Sequence, residues 1–192
     1  MAVANTPSRD EALMLLQEHV SDEKLQIHAF CVEGVMRYLA RKHGGDEDEW
    51  GLVGLLHDID YQQFPHEHCK HVREILEPHG WPEEMLRAIE AHGWGICTDV
   101  EPKTTLEKCL FAFDELTGLV YATALVRPSR SVLDMKAKSV RKKWKVRSFA
   151  AGVNREIIQQ GADMLGLELD EMYTECIMGM REVAAEIGLG DS

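Results

Sequence analysis

Residues Trp50–His71 read WGLVGLLHDIDYQQFPHEHCKH, and this stretch decides the fold. An apolar run of helical character delivers His57 and Asp58 side by side, and a turn containing Pro65 leads to His66, His68 and His71. Adjacent helical residues diverge, yet at a helix's last turn both side chains can lean towards one point. An imidazole followed by a carboxylate is then a compact pair of donors for a divalent cation. Two donors do not hold such an ion tightly, because transition ions take four to six ligands. The remaining donors must come from elsewhere in the chain.

Working outward, apolar residues recur at three- and four-residue spacing, the period of a helix with one buried face. Thr6-Pro7-Ser8 starts a short helix to about Glu18, and Ser21-Asp22-Glu23 caps a longer one that Gly44-Gly45 ends. On the longer helix His28 shares a face with Leu25, Val32, Val35 and Leu39. The acidic turn Asp46–Glu49 opens the helix that carries Trp50, Val53, Gly54 and His57 on its inner side. After Pro65 the pattern predicts a helix to about Glu77 that groups His68 with Val72, Ile75 and Leu76. Pro82 opens the next, where His92 follows Met85, Ala88 and Ile89. A helix capped by Thr104 or Thr105 carries Asp114 among Leu106, Leu110, Phe113, Thr117 and Tyr121. Helices over about 131–140, 154–165 and 170–187 complete the chain. No alternating strand pattern, repeat or low-complexity linker interrupts it. The expectation is an all-α, single-domain helical bundle over 1–192, with a core at about 22–125 and C-terminal helices at 129–190.

The net charge of −12 argues against general affinity for nucleic acid or an anionic membrane. Its distribution is uneven: between Arg127 and Arg147 nine Lys or Arg stand against Asp134 alone. Five cysteines without C-x-x-C spacing suit a reducing cytoplasm, and the N-terminus lacks a basic, then apolar, leader. No apolar run approaches membrane-spanning length. A methionine-rich last helix (Met172, Met178, Met180) serves a homodimer face as readily as a core.

A histidine on an apolar stripe is ordinarily a core imidazole bonded to a carbonyl. Four of them from four helices, His28, His57, His68 and His92, together with Asp58 and Asp114, make a different pattern. Two buried carboxylates without partners cost several kcal/mol each, whereas a divalent cation neutralises them and employs the imidazoles. Asp60 is placed to act as a general base, to orient a ligand histidine, or simply to cap the following turn. His66 is a candidate substrate contact and His71 faces away. Lys70, Arg73, Arg130, Lys138 and Arg141 are candidate contacts for an anionic substrate, with Lys142 and Lys145 beside them; a solvated helix face explains the basic segment as well. Trp94 between two glycines closes the bundle or stacks on a base.

With these residues in hand, the chain resembles the HD-domain (HDIG-type) metal-dependent phosphohydrolases. Their pattern is a His, an HD pair and a distant Asp on helices, here His28, His57-Asp58 in GLLHDID, and Asp114. His68 in HCKHVREIL and His92 in AIEAH match by context the two extra histidines of the two-metal subgroup. The resemblance covers about Leu25 to Tyr121. It implies hydrolysis of a phosphoester or phosphoanhydride, most often in a nucleotide or similar small phosphate, by metal-activated water; Asp58, and Asp60 by its position two residues beyond the HD pair, are the candidate catalytic carboxylates. It implies one or two divalent ions (Fe, Mn, Co, Ni, Zn or Mg): the first on His28, His57, Asp58 and Asp114, the second on His68 and His92 with Asp58 bridging. Two other functions stay open, a diiron oxygenase of the inositol-oxygenase type and a non-catalytic module that binds a metabolite and regulates a partner.

Overall fold

Helix ends are written into the chain by residues that satisfy the otherwise unpaired terminal amides. In the computed structural model, which describes residues 7–190, Ser8 and Glu11 form a reciprocal capping box at the start of α1 (Arg9–His19). Thr6, expected to share in that start, lies outside the described residues. Asp22 caps α2 (Glu23–His43), and Gly44, at φ 72°, ends it in the left-handed region that glycine occupies without steric cost. Asp46 caps α3 (Glu47–Leu56). Then come α4 (Val72–Leu76) with a 3-10 turn at Glu77–His79, and α5 (Glu83–Ala91) behind Pro82. A second capping box, Thr104 with Glu107, opens α6 (Thr105–Leu125). Next are α7 (Ala137–Trp144), α8 (Arg155–Leu165) under Asn154, and α9 (Leu169–Glu182).

The described residues contain nine α-helices and no strand, so the fold is all-α. The two long helices, α2 and α6, lie side by side, with α3 and α9 packed on α2 and α8 on α6. Leu39, Leu55, Phe113, Met172 and Tyr173 are among the fully or nearly fully buried side chains of one continuous apolar core. Two glycines set how closely the helices approach. A Cβ on Gly54 would lie 2.9 Å from the Val32 carbonyl oxygen, so α3 packs against α2 at the level of Val32, one turn beyond His28. A Cβ on Gly179 would lie 2.5 Å from Val35 Cα, which fixes the crossing of α9 over α2. No helix among the described residues is long and apolar enough to cross a membrane.

Three sequence expectations need correction. The helix expected from Pro65 is regular only over Val72–Leu76; before it the chain makes tight turns, Glu67 N–H to Phe64 and Lys70 N–H to Glu67, and Cys69 sits at φ 68°. A side chain in that region interrupts a right-handed helix, so His68 stands on a turn. The helix expected at 131–140 begins at Ala137, because Val132 N–H is taken by Leu189 O and the Ser131 hydroxyl accepts from Leu133 N–H. The last helix ends at Glu182, with turns to Leu189 beyond it. Met172 and Met180 belong to the core, while Met178 is partly exposed. Trp94 tilts against Phe111 and pairs with Thr98, closing its loop.

Candidate metal centre

The turn of α2 that holds His28 faces the turn of α6 that holds Asp114, and His28 Nε2 lies 2.9 Å from Asp114 Oδ1. His57 is the residue at which α3 stops, and its Nε2 comes within 3.1 Å of His28 Nε2, 3.3 Å of Asp114 Oδ1 and 3.4 Å of Asp58 Oδ2. On the other side Asp58 Oδ1 lies 3.2 Å from His68 Nε2 and 3.5 Å from His92 Nε2, which are 3.1 Å apart. His92 is likewise the residue at which its helix, α5, stops. The two oxygens of Asp58 therefore face two donor sets, one with His28, His57 and Asp114 and one with His68 and His92.

The outward nitrogen of every imidazole is engaged by an acceptor. His57 Nδ1–H donates to Gly54 O at 2.8 Å, and His92 Nδ1–H donates to Ile89 O, which also accepts the His92 N–H, each using a carbonyl in the last turn of its helix. His68 Nδ1–H donates to Asp60 Oδ1 at 2.8 Å. His28 Nδ1–H reaches the Thr117 hydroxyl at 3.3 Å, whose own proton goes to Asp114 O at 2.8 Å. With all four rings protonated on Nδ1, their neutral forms turn Nε2 lone pairs inward, towards carboxylate oxygens that also only accept. Acceptors alone repel; a cation between them makes the arrangement favourable. Two donors about 2.1 Å from one ion and at right angles are about 3 Å apart, which matches the separations above. The donor set fits a divalent ion, and its mixed imidazole and carboxylate character suits Fe, Mn, Co, Ni or Zn.

Charge in the site follows the same logic. Burial disfavours a charged His57, but Asp58 and Asp114 outweigh it and hold its pKa well above the ordinary imidazole value. Burial likewise opposes charge on His68, which Asp58 and Asp60 nevertheless raise to about 10. Against their own burial, Asp58 and Asp114 are held well below the carboxylate range, chiefly by His57. Positive charge is what this pocket demands.

The donors floor a cleft of about 340 Å³ whose walls include Leu25, Tyr61, Ile96, Val153 and Ile157. Among the described residues no lysine or arginine lines it. Arg73 is drawn to Glu83 and Glu90, with bonds of 2.7–3.0 Å to both, and Arg141 pairs with Asp170 at 2.8 Å. Lys70, Arg130 and Lys138 are exposed away from the cleft wall, as is His66. His71 bonds Glu74 and stacks on Phe64. Asp60 is fully buried and its oxygens are both used, Oδ1 by His68 and Oδ2 by His71 N–H at 3.2 Å.

Sequence reasoning passed over two residues of the cleft wall, Glu115 and Cys97, and the part played by Thr117 behind it. Glu115, beside Asp114, lines the cleft with its pKa raised by burial and by Asp114; its position one residue off the Asp114 stripe was the available signal. Thr117 was noted only as an inward residue, with its link to His28 invisible. Cys97 lines the cleft 3.3 Å from the buried Cys69, and their hydrogen bond draws the Cys97 thiol down to about 6 while pushing Cys69 up.

Residues 25–119 match the family model of the HD domain, a span that contains His28, His57-Asp58, His68, His92 and Asp114. No curated protein and no solved structure matches the chain. HD domains form a superfamily of metal-dependent phosphohydrolases, and the His/Asp groups gathered here are positioned to take a metal. The matched span and the helical architecture agree, and the chain belongs to the HD-domain family.

Proposed function

We propose that the protein hydrolyses a phosphoester or phosphoanhydride of a small phosphorylated molecule, nucleotides being the first class to screen, at a centre of two divalent ions. One observation carries the reading: the two oxygens of Asp58 point to separate donor sets, 3.4 Å from His57 Nε2 on one side and 3.2 Å from His68 Nε2 on the other. His28, His57, Asp58 and Asp114 would hold one ion, and His68, His92 and Asp58 the other. When bound, divalent ions at these positions polarise a phosphoryl oxygen and lower the pKa of water.

The chain's own groups do the rest. Gly54, Ile89, Thr117 and Asp60 fix the tautomer of each ligand imidazole, so no donor has to reorient when substrate arrives. In this reading Asp60 orients His68 and moves no reacting proton, since it is enclosed and fully bonded. Glu115, kept receptive to a proton by burial and by Asp114, is positioned to exchange one with a leaving group in the cleft. Leu25, Ile96, Val153 and Ile157 exclude water around the organic part of the substrate. With no lysine or arginine in the wall, the centre itself must answer the phosphate's charge, which favours substrates with one phosphate over polyphosphates.

The test is a phosphate-release screen of metal-reconstituted protein over nucleoside monophosphates, nucleoside polyphosphates and simple aryl phosphates, beside Asp58→Ala. Release that needs metal and vanishes in the variant is the expected result. Silence with every metal, or oxygen uptake with Fe(II) and a polyol instead, overturns the reading.

A further inference from the structure

The loop after α5 places Cys97 in the cleft wall directly against Cys69, with 3.3 Å between the sulfurs. We propose that Cys69 and Cys97 are a thiol modification site, closing to a disulfide when a hydroperoxide enters the cleft and reopening with a thiol reductant.

The geometry is built for contact between these two sulfurs. A disulfide needs about 2.05 Å between sulfurs, so they must close by little more than 1 Å, a small movement of the two side chains and of the turn and loop that carry them. Gly93 lies between them: a Cβ there would stand 2.2 Å from Cys97 Sγ and 2.7 Å from Cys69 Sγ, so only glycine leaves room for the pair. The loop is held rigid while it presents Cys97, because Ile96, Cys97 and Thr98 all donate their N–H groups to Gly93 O, and the Thr98 hydroxyl donates to Glu90 O. Cys69 occupies a left-handed position, φ 68°, that glycine or asparagine fills at lower cost. A cysteine there is unexplained by backbone preference and explained by its sulfur's partner. Cys31, Cys109 and Cys176 are buried in separate helices and make no sulfur–sulfur contact with another cysteine among the described residues.

The two sulfurs divide the chemistry by access. Cys97 is partly exposed in the cleft, whereas Cys69 is 2% exposed behind it. The Cys97 sulfur, as thiolate, attacks the peroxide; an S–O bond forms, the O–O bond breaks, and the leaving oxygen departs as water after taking a proton. The Cys69 sulfur then attacks Cys97, the S–O bond breaks, and a second water leaves. Two thiols and one hydrogen peroxide give one disulfide and two waters, a transfer of two electrons.

The bond would reach the centre. Cys69 follows His68 directly, and its Sγ lies 3.9 Å from both His92 ring nitrogens. Drawing the sulfurs together shifts the turn that carries one imidazole against the loop that leaves the other. We expect at least about tenfold weaker retention of one ion, in keeping with the effect of disturbing groups that support ligands; this consequence rests on the two-ion reading above.

Full-length, metal-reconstituted protein is treated with one equivalent of hydrogen peroxide, its remaining thiols are alkylated, and a non-reducing digest is mapped by mass. The expected product joins the Cys69 and Cys97 peptides, is lighter by two hydrogens than their thiol forms, and disappears with dithiothreitol. Cys97→Ser should abolish it and Cys109→Ser should retain it. Cys97 driven to sulfinic acid with Cys69 still alkylatable, or a link between any other pair, overturns the site. Metal analysis of the same samples keeps the two readings apart. A disulfide that leaves the ion content unchanged refutes the coupling to the centre, while a protein that never held metal refutes the two-ion centre with the disulfide intact.

Discussion

Asp60 offers the sharpest test of the centre, because Asp60→Asn changes one atom in a fully enclosed site. The carboxylate accepts twice, from His68 Nδ1–H at 2.8 Å and from His71 N–H at 3.2 Å. An asparagine amide has one acceptor and one donor, so whichever way it turns, an N–H faces an N–H. A buried donor left without a partner costs about 1–3 kcal/mol, and each 1.4 kcal/mol is about a factor of ten in affinity. If the amide oxygen goes to His71, the His68 ring is released from its tautomer and its Nε2 lone pair is no longer fixed towards Asp58. The ion held by His68 and His92 should then bind about 5- to 150-fold more weakly, while the ion held by His28, His57 and Asp114 is little changed. Competition with a chromophoric chelator, titrating Mn(II) or Zn(II), reads the two steps separately, and urea unfolding under chelator measures the stability loss. Both affinities within twofold of wild type, with stability also unchanged, would refute the claim that Asp60 holds His68.

Other expected outcomes follow from the same geometry. Asp58→Ala removes the side chain common to both donor sets, so ion content should fall towards background and phosphate release by at least about a hundredfold, as for loss of metal activation; elemental analysis checks the first and the release assay the second. His57 and His68 have folded pKa values above the ordinary 6.5, His68 near 10, so protonation stabilises the metal-free fold. That contribution is complete below pH 6.5 and is lost as pH rises towards 10, and calorimetry under chelator should show Tm falling over this range. Metal affinity should rise across the same interval because fewer protons are displaced, and flat profiles in both would sink the argument. Gly179→Ala forces a Cβ against Val35 Cα at 2.5 Å and should cost about 1–3 kcal/mol by urea unfolding. Arg155 is buried and donates to the Trp144, Val146 and Phe149 carbonyls at 2.7–3.3 Å. Arg155→Met should therefore loosen the 145–153 loop, with trypsin cleaving at Lys145 or Arg147 at least about tenfold faster, given about 1.5–3 kcal/mol for such charged hydrogen bonds.

The helical faces were legible because burial imposes a period on the sequence, and that period aligned His28, His57, His92 and Asp114 with apolar neighbours before any contact was known. His68 reached the cluster by a different route from the one expected. Its apolar neighbours suggested a helix, yet a left-handed Cys69 and the grip of Asp60 make a turn instead. Cations were the least readable class. A sequence displays the charge of Arg73 but not that Glu83 and Glu90, ten and seventeen residues on, have already claimed it. Cys69 and Cys97 are 28 residues apart and meet only because α5 and its loop fold back over the turn. The expected helix over 131–140 placed the start of α7 too early, since the partner that holds that stretch open is Leu189, remote in sequence.

His57 and His92 each terminate a helix, and that placement bears on the order in which the cleft fills. The closing turn of a helix presents about half a negative charge, so α3 and α5 add their electronegative ends to two carboxylates at one spot. Protons on His57 and His68 are matched to those carboxylates, so an approaching phosphate finds no uncommitted positive charge until divalent ions have docked. Inorganic phosphate should accordingly show no calorimetric heat with chelator-treated protein and measurable heat after loading, making the ions an obligatory first arrival.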